Sequence, residues 1–564
     1  MIIGSRWRRG QQCFLLLAWL FLALCASAQA QLKPAHAAIA SAHPLATEAG
    51  LEILRRGGNA FDAAVAVSAA LAVVEPSSSG LGGGGFWLLH QAAQHTDVMI
   101  DGREVAPLAA TRDMFLDASG NPVPRRSIDT ALAAGIPGQP AALAHMAQKY
   151  GRLPLRDSLQ PAIRLARQGF PLYERLRNGL TFKRDLIAAS EARKVFLHRG
   201  EVLPLGSILK QPELAATLET LAEKGADDFY KGATARKLVA GVRKLGGIWT
   251  LDDLRQYEVK ERAPVVGTYR GARIVSAPPP SSGGVALIDA LNILAGFDFT
   301  TLDSTTRKHL VIEAMRRVHR DRAEYLGDPD FVSVPVERLI NPFYADGQRT
   351  SLRLDRATPS GSLPGITNAE PGPHTTHFSI IDAEGNRVAA TMTLNFFFGS
   401  GLMVPGLGVL LNNEMDDFSI KPGVPNGFQL VGADANAIAP RKRMLSSMTP
   451  TFIERPDAVM IVGTPGGSYI MGMVLLASLD WLDGKSAEDI VRGARYHHQY
   501  LPDVVVFEPG ALSQDEQSKL QSMGHQLKQL SNTYGNMQVV TWDRKSGAVS
   551  AASDPRGAGR GLVY

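Results

Sequence analysis

Cysteine is confined to Cys13 and Cys25, and the rest of the 564-residue chain has none. That absence excludes disulfides, cysteine nucleophiles and thiolate metal sites from everything downstream. Both cysteines bound an apolar run that follows Arg6, Arg8 and Arg9 and precedes Ala28-Gln29-Ala30, a small-x-small cleavage pattern, so residues 1–30 read as a secretory signal peptide. The run is about 13 residues, short of the roughly 20 that span a bilayer, and Leu24 stands before Cys25 where a lipoprotein has a small residue. The sequence therefore predicts a periplasmic or secreted protein with no stable membrane anchor. Excess charge is also lacking: the formal +5 includes the three leader arginines, and no acidic residue precedes Gln31, so about +2 remains. Such a balance excludes nucleic acid as a partner. Arg316-Arg317 and Arg441-Lys442-Arg443 read as solvated helix faces or loop edges.

Internal repeats and low-complexity linkers are missing as well. There is no G-x-S-x-G elbow, no H-E-x-x-H and no complete P-loop. Gly80, Gly82 and Gly85 satisfy G-x-G-x-x-G, but a helical pattern precedes the loop and strand-like Phe86-Trp87-Leu88-Leu89 follows. A dinucleotide site needs the reverse order, so no cofactor is predicted, and close backbone packing is the better use of these glycines. His497-His498 lacks an acidic or histidine partner at ligand spacing, and no metal site is predicted.

The one strong punctuation is Ala357 to His374, rich in proline and glycine, which reads as mobile and exposed. It divides the chain after the leader into 31–374 and 375–564, predicted to be two polypeptides in one globule. Helical patterns cover Leu45–Arg56, Ala60–Val74, Pro140–Lys149, Leu214–Lys224 and Lys308–Tyr325, whereas short strand patterns cluster after Thr375. Phe378, Ile380 and Ile381 lead into Ala383-Glu384-Gly385, and Val388, Ala389, Ala390 and Met392 continue as a second strand. If Asp382 pairs with Asn386 across that turn, the register places Thr393 opposite Thr375 and Asn395 two residues along on the same face. Cleavage before Thr375 would give one residue both a hydroxyl nucleophile and an amine to serve as its base.

From Ala38 to Pro44, the chain then carries Gly57-Gly58-Asn59-Ala60-Phe61-Asp62, Gly80 to Gly85, Asp101-Gly102-Arg103-Glu104, Ala277 to Gly284 and Asp321 to Pro329. His374-Thr375-Thr376-His377, Leu411 to Phe418, Pro440 to Pro450, Gly463 to Ser468 and Ala552 to Arg556 follow. In these motifs and in their order the chain resembles the γ-glutamyltranspeptidase family of N-terminal-nucleophile hydrolases. The resemblance implies an α+β fold, a four-layer αββα sandwich, and self-cleavage at His374-Thr375 into large and small subunits.

It also implies roles. Thr375 attacks, Thr393 holds its hydroxyl, and the tandem Gly466-Gly467 supplies backbone N–H groups to the oxyanion. Arg103, helped by Ser446 and Ser447, meets the donor's α-carboxylate; Asp417, with Glu414 and Asn395, accepts its α-ammonium. A lid in Pro422 to Asp434 carries Phe428 where many bacterial members have tyrosine, so the ring remains without a hydroxyl for a gate bond towards Asn395. The expected partners are glutathione and other γ-glutamyl compounds as donors, with water, amino acids or dipeptides as acceptors. Two readings compete: a cephalosporin or glutaryl acylase of the same family using the same Thr375, and a secreted binding protein on an inactivated scaffold.

Overall fold

A computed structural model describes residues 33–363 and 375–564. The predicted signal peptide and His374 lie outside the described residues.

The predicted hairpin organises the molecule. Strands Thr376–Ile381 and Arg387–Thr393 pair antiparallel, from Ile381 against Arg387 to Thr376 against Met392. The turn closes through Asp382, which exchanges backbone hydrogen bonds with Gly385 and Asn386, while Gly385 takes φ 93°. Extending this register by one pair sets Thr375 against Thr393. The hairpin lies inside a seven-stranded sheet, ordered Arg560–Val563, Ala38–Ser41, Thr376–Ile381, Arg387–Thr393, Gly84–Gln91, Thr96–Gly102 and Lys260–Arg262. A six-stranded sheet stacks on it, ordered Val549–Ser553, Gln538–Asp543, Ala458–Gly463, Thr451–Arg455, Ala272–Ser276 and Val265–Tyr269. Strands before Thr375 thus contribute to both sheets; several are short or buried on both faces, and so carry little of the alternation by which strands are read.

Helices cover both outer faces. Ala60–Val74 lies on the hairpin, and Gly283–Leu294 and Ile470–Leu482 lie on the six-stranded sheet. The result is an α+β sandwich of four layers with two cores. Along Gly84–Gln91 the pleat sends Trp87 and Leu89 towards the first helical layer, Phe86 and Leu88 towards the second sheet. The Asn59 side chain accepts from the N–H groups of Phe61 and Asp62, and Asp62 accepts from the N–H of Asn59, a capping box that starts helix Ala60–Val74. Such a cap is worth about 1 kcal/mol. The N–H of Ala60 donates to Asp382 at 2.9 Å, tying the helix to the hairpin turn.

Two expectations need correction. Arg316 and Arg317 are buried on helix Ser304–Tyr325, not solvated, because both pair with buried Glu313. Burial pushes the Glu313 carboxyl up, but the two guanidiniums hold it down at about 2. In the basic run 441–443, Lys442 and Arg443 are likewise buried: Lys442 donates to the carbonyls of Ala435 and Ala437, Arg443 to that of Glu258. Nor is the start of the breaker-rich segment loose. Thr358 donates its N–H to Glu313, Arg317 donates to Thr358 Oγ1, and Ser360 is buried with its N–H on Asp503. Residues 364–374, the rest of that segment, lie outside the described residues.

Candidate active site

Thr375 stands at the head of the central strand and is buried. Thr393 Oγ1 accepts the N–H of Asn395 at 2.7 Å. Asn395 leaves the strand at φ 76°, a conformation that asparagine tolerates better than most residues, and donates its side-chain amide to the Asn413 carbonyl at 3.0 Å. The glycine run packs against this corner: a Cβ on Gly83 would lie 2.0 Å from the Thr393 carbonyl oxygen, and one on Gly85 2.4 Å from that of Thr391. Backbone contact with the threonine strand, rather than phosphate binding, accounts for that run.

Arg103 is fully buried and held by three bonds. Its Nε donates to the Met444 carbonyl at 3.2 Å, one Nη donates to Glu414, and the other to Asp417 Oδ2 at 2.5 Å. Glu104 Oε2 lies 3.7 Å away and makes a third carboxylate around the guanidinium. Burial pushes Glu104 up to about 8, and burial with its carboxylate neighbours drives Glu414 well above the usual range, both against the opposing pull of Arg103. Buried Arg322 adds a second positive charge, its own pKa lowered to about 10 by burial despite Asp417 nearby. Glu104 and Arg322 were not picked out from sequence, although both stand within quoted motifs; what identifies them is their closeness to Arg103.

The adjacent acids divide. Asp417 faces Arg103, while Asp416 accepts from Ser127 Oγ at 2.6 Å and from the N–H of Gly427 at 2.8 Å, which fastens the lid. Phe428 is buried in that lid and stacks on Phe396 with ring centroids 4.4 Å apart. Ser446 is braced from behind: its carbonyl accepts from both the N–H and the hydroxyl of Ser282, and its N–H donates to the Pro280 carbonyl, each at 2.8 Å. That is the structural use of the Pro-Pro-Ser-Ser motif.

Thr375, Thr393, Arg103, Asn395, Glu414, Asp417, Ser446, Ser447, Phe428 and Gly467 all line one cavity, closed by Leu430, Met448 and Ile470. Its free space is about 20 Å³, room for about one water. Gly466 is not part of this lining. It lines a separate groove of about 750 Å³, so the tandem glycines form the seam between the two spaces. Gly466 and Gly467 adopt φ 150° and 55°, values that favour glycine, and the chain continues through a short 3-10 turn into helix Ile470–Leu482. Backbone N–H groups and a helix start beside Thr375 suit the site to a developing oxyanion.

His497 packs on His319 and Tyr469 with both ring nitrogens buried and unpartnered among the described residues, and His498 bonds Asp503 and accepts the N–H of Tyr500. Among the described residues, His309, Glu313 and His525 converge with donor atoms within 4.8 Å. The two rings bond each other at 2.8 Å and Glu313 pairs with Arg316 and Arg317, while the buried Nδ1 of His525 has no partner among the described residues. No helix among the described residues is long and apolar enough to cross a membrane.

The family model described as Gamma-glutamyltranspeptidase matches residues 46–564. The glutathione hydrolase proenzyme of Escherichia coli K12 is 43% identical over 525 residues, covering 92% of this chain and 90% of that protein. That of Pseudomonas aeruginosa PAO1 is 41% identical over 536 residues, covering 93% and 94%. Among solved structures, a cephalosporin acylase from Bacillus halodurans superposes with TM-score 0.83 at 28% identity, covering 95% of this chain and 97% of that one. A γ-glutamyltranspeptidase chain from Helicobacter pylori matches with TM-score 0.56 at 43% identity, covering 57% and 93%.

Proposed function

From the premise that the chain belongs to the γ-glutamyltranspeptidase family, we propose an exported glutathione hydrolase and γ-glutamyltransferase that cuts itself between His374 and Thr375. In maturation the Thr375 hydroxyl adds to the His374 carbonyl, the peptide C–N bond breaks to leave an ester and a free α-amine, and water hydrolyses the ester. In turnover the amine takes the hydroxyl proton as Oγ1 attacks the γ-carbonyl of the donor. Gly466 and Gly467 N–H groups meet the oxyanion, and each such donor is typically worth about 3 kcal/mol. The proton passes to the leaving amine, the γ-glutamyl ester stays on Thr375, and water or an acceptor amine releases it.

The observation that carries the donor assignment is the ion pair of Arg103 with Glu414 and Asp417 inside the cavity that Thr375 lines. A γ-glutamyl donor carries both signs of charge on one carbon. Its α-carboxylate replaces the acids on Arg103, its α-ammonium replaces Arg103 on the acids, and Ser446 and Ser447 assist the carboxylate. Charges already desolvated in the pocket exchange partners instead of being buried anew, which limits the cost. A glutaryl group lacks the ammonium and would leave Asp417 and Glu414 uncompensated, which disfavours the acylase reading. The present free volume requires the Phe428 lid to move for entry.

Self-cleavage is tested with purified Thr375→Ala, expressed where no host protease acts. It is expected to run as one inactive chain beside a two-band wild type. The same two fragments from the variant would assign the cut to an external protease.

A further inference from the structure

We infer that the groove on the outer side of Gly466 is the acceptor site, and that it takes short peptides by a free C-terminal carboxylate on Arg175 and an apolar side chain against Phe182. This rests on the γ-glutamyltransferase reading above and adds the acceptor's place and chemical class.

The groove is the larger of the two spaces that meet at Gly466-Gly467. Its volume of about 750 Å³ falls in the range of sites that bury a whole organic ligand, and exceeds what one water or one small amino acid needs. The inner cavity holds the charges for the donor, and Gly466-Gly467 separate the two spaces, so an acyl group on Thr375 presents one face to the donor pocket and the other to the groove. An amine entering from the groove therefore meets the carbonyl on its open side.

Two arginines line the groove, and they differ. Arg556 is already committed: it bonds Glu508, Asp554 and the carbonyls of Val491 and Gly493. Arg175, in the first turn of helix Glu174–Phe182, makes no hydrogen bond or ion pair among the described residues, and its buried Nε has no partner. Its charge is felt at Glu75, whose carboxyl burial pushes up and Arg175 opposes. Glu75 in turn accepts from Thr376 Oγ1 at 2.6 Å, one residue from the nucleophile. Arg175 is thus the cation with unused donors beside the reacting centre, suited to a planar carboxylate. At the other end of the same helix Phe182 is 76% exposed, a large apolar ring that lines the groove together with Tyr534. An exposed ring of that size within a concave site marks a contact for an apolar ligand group.

The test uses the mature enzyme with a γ-glutamyl anilide donor and compares glycylglycine with glycylglycinamide, which differ only in the terminal charge. Wild type is expected to favour the free carboxylate by about 10-fold or more in kcat/KM, Arg175→Lys to keep part of that preference, and Arg175→Gln to lose it. The ratio is internal to each protein and is insensitive to its active fraction. Phe182→Ala, at an exposed position, is expected to raise KM for glycylphenylalanine several-fold relative to glycylglycine. Equal losses for both acceptors in Arg175→Gln mean that Arg175 only balances Glu75 and overturn the inference, as does an unchanged side-chain preference in Phe182→Ala. A wild type that hydrolyses the donor without any carboxylate preference overturns the acceptor site alone; one that does not hydrolyse γ-glutamyl donors overturns both readings.

Discussion

The two spaces on either side of Gly466-Gly467 are built on opposite principles. The inner one has about 20 Å³ free, is lined by buried Arg103, Glu414 and Asp417 with Glu104 and Arg322 buried close behind, and has a lid stacked shut by Phe428 on Phe396. The outer one is about 750 Å³, with one arginine saturated and one not. Desolvated, mutually paired charges discriminate strongly, because any ligand that fails to replace both partners leaves a buried ion exposed to low dielectric. An open groove with one unused cation discriminates weakly. The proposed enzyme is thereby expected to be strict towards its donor and tolerant towards its acceptor.

The largest effect is expected at the seam itself. In Gly466→Ala the new Cβ would lie 2.5 Å from Met473 Cε, at a backbone φ of 150° that alanine avoids. Displacing one oxyanion donor lowers kcat by about 10²–10³-fold, read as turnover per mole of processed enzyme. Wild-type kcat in the processed variant would remove this peptide from the chemistry.

Asp417→Asn probes the inner space alone. It should still yield two chains, yet lose about 10- to 150-fold in kcat/KM for glutathione, the worth of a charge-assisted hydrogen bond, and far less for a glutaryl anilide. Equal losses on both substrates would make Asp417 structural and dissolve the contrast between the cavities.

The lid anchor adds a pH dependence. Burial pushes Asp416 up from its ordinary 3.8 to about 7, so between about pH 4 and 7 the folded chain holds a proton that the unfolded chain has released. Stability falls as pH rises through that window, by up to about 1.4 kcal/mol per pH unit. Asp416→Asn should flatten that slope in urea unfolding at pH 5, 6 and 7; parallel curves for variant and wild type would contradict it.

The smallest change is expected in Phe428→Tyr, which keeps the stacked ring and should alter donor turnover only a few-fold. Phe428→Gly removes a ring pair worth about 0.5–1.5 kcal/mol and should raise hydrolysis relative to transfer by admitting water. Identical hydrolysis-to-transfer ratios in all three proteins would deny the lid a role in excluding water.

What was legible in the chain follows the range of the forces involved. The register that sets Thr375 against Thr393 is local, fixed by a three-residue turn, and the structure has it as read. Helix Ala60–Val74 likewise has the expected bounds, since its cap is written in adjacent residues. Family motifs brought Arg103, Glu414, Asp417 and Ser446 to one cavity, but not the bond between Arg103 and the acids, which spans more than three hundred positions. Asp416 and Asp417 are neighbours with opposite assignments because a 3-10 turn points them apart. Arg316 and Arg317 looked solvated because charge runs usually are, and only the tertiary packing around Glu313 reverses that. The outer groove draws on Arg175, Phe182, Gly466, Tyr534 and Arg556, of which only Gly466 and Arg556 stand in a motif, so its shape was not readable.

The central claim, that Thr375 becomes a new N-terminus and carries the acyl group, is tested most directly by intact mass measurement of the purified enzyme quenched during turnover of a γ-glutamyl donor. The account predicts a small chain beginning at Thr375 that gains one γ-glutamyl group, released on adding glycylglycine. A small chain beginning at any other residue, or an adduct on the large chain, would contradict it.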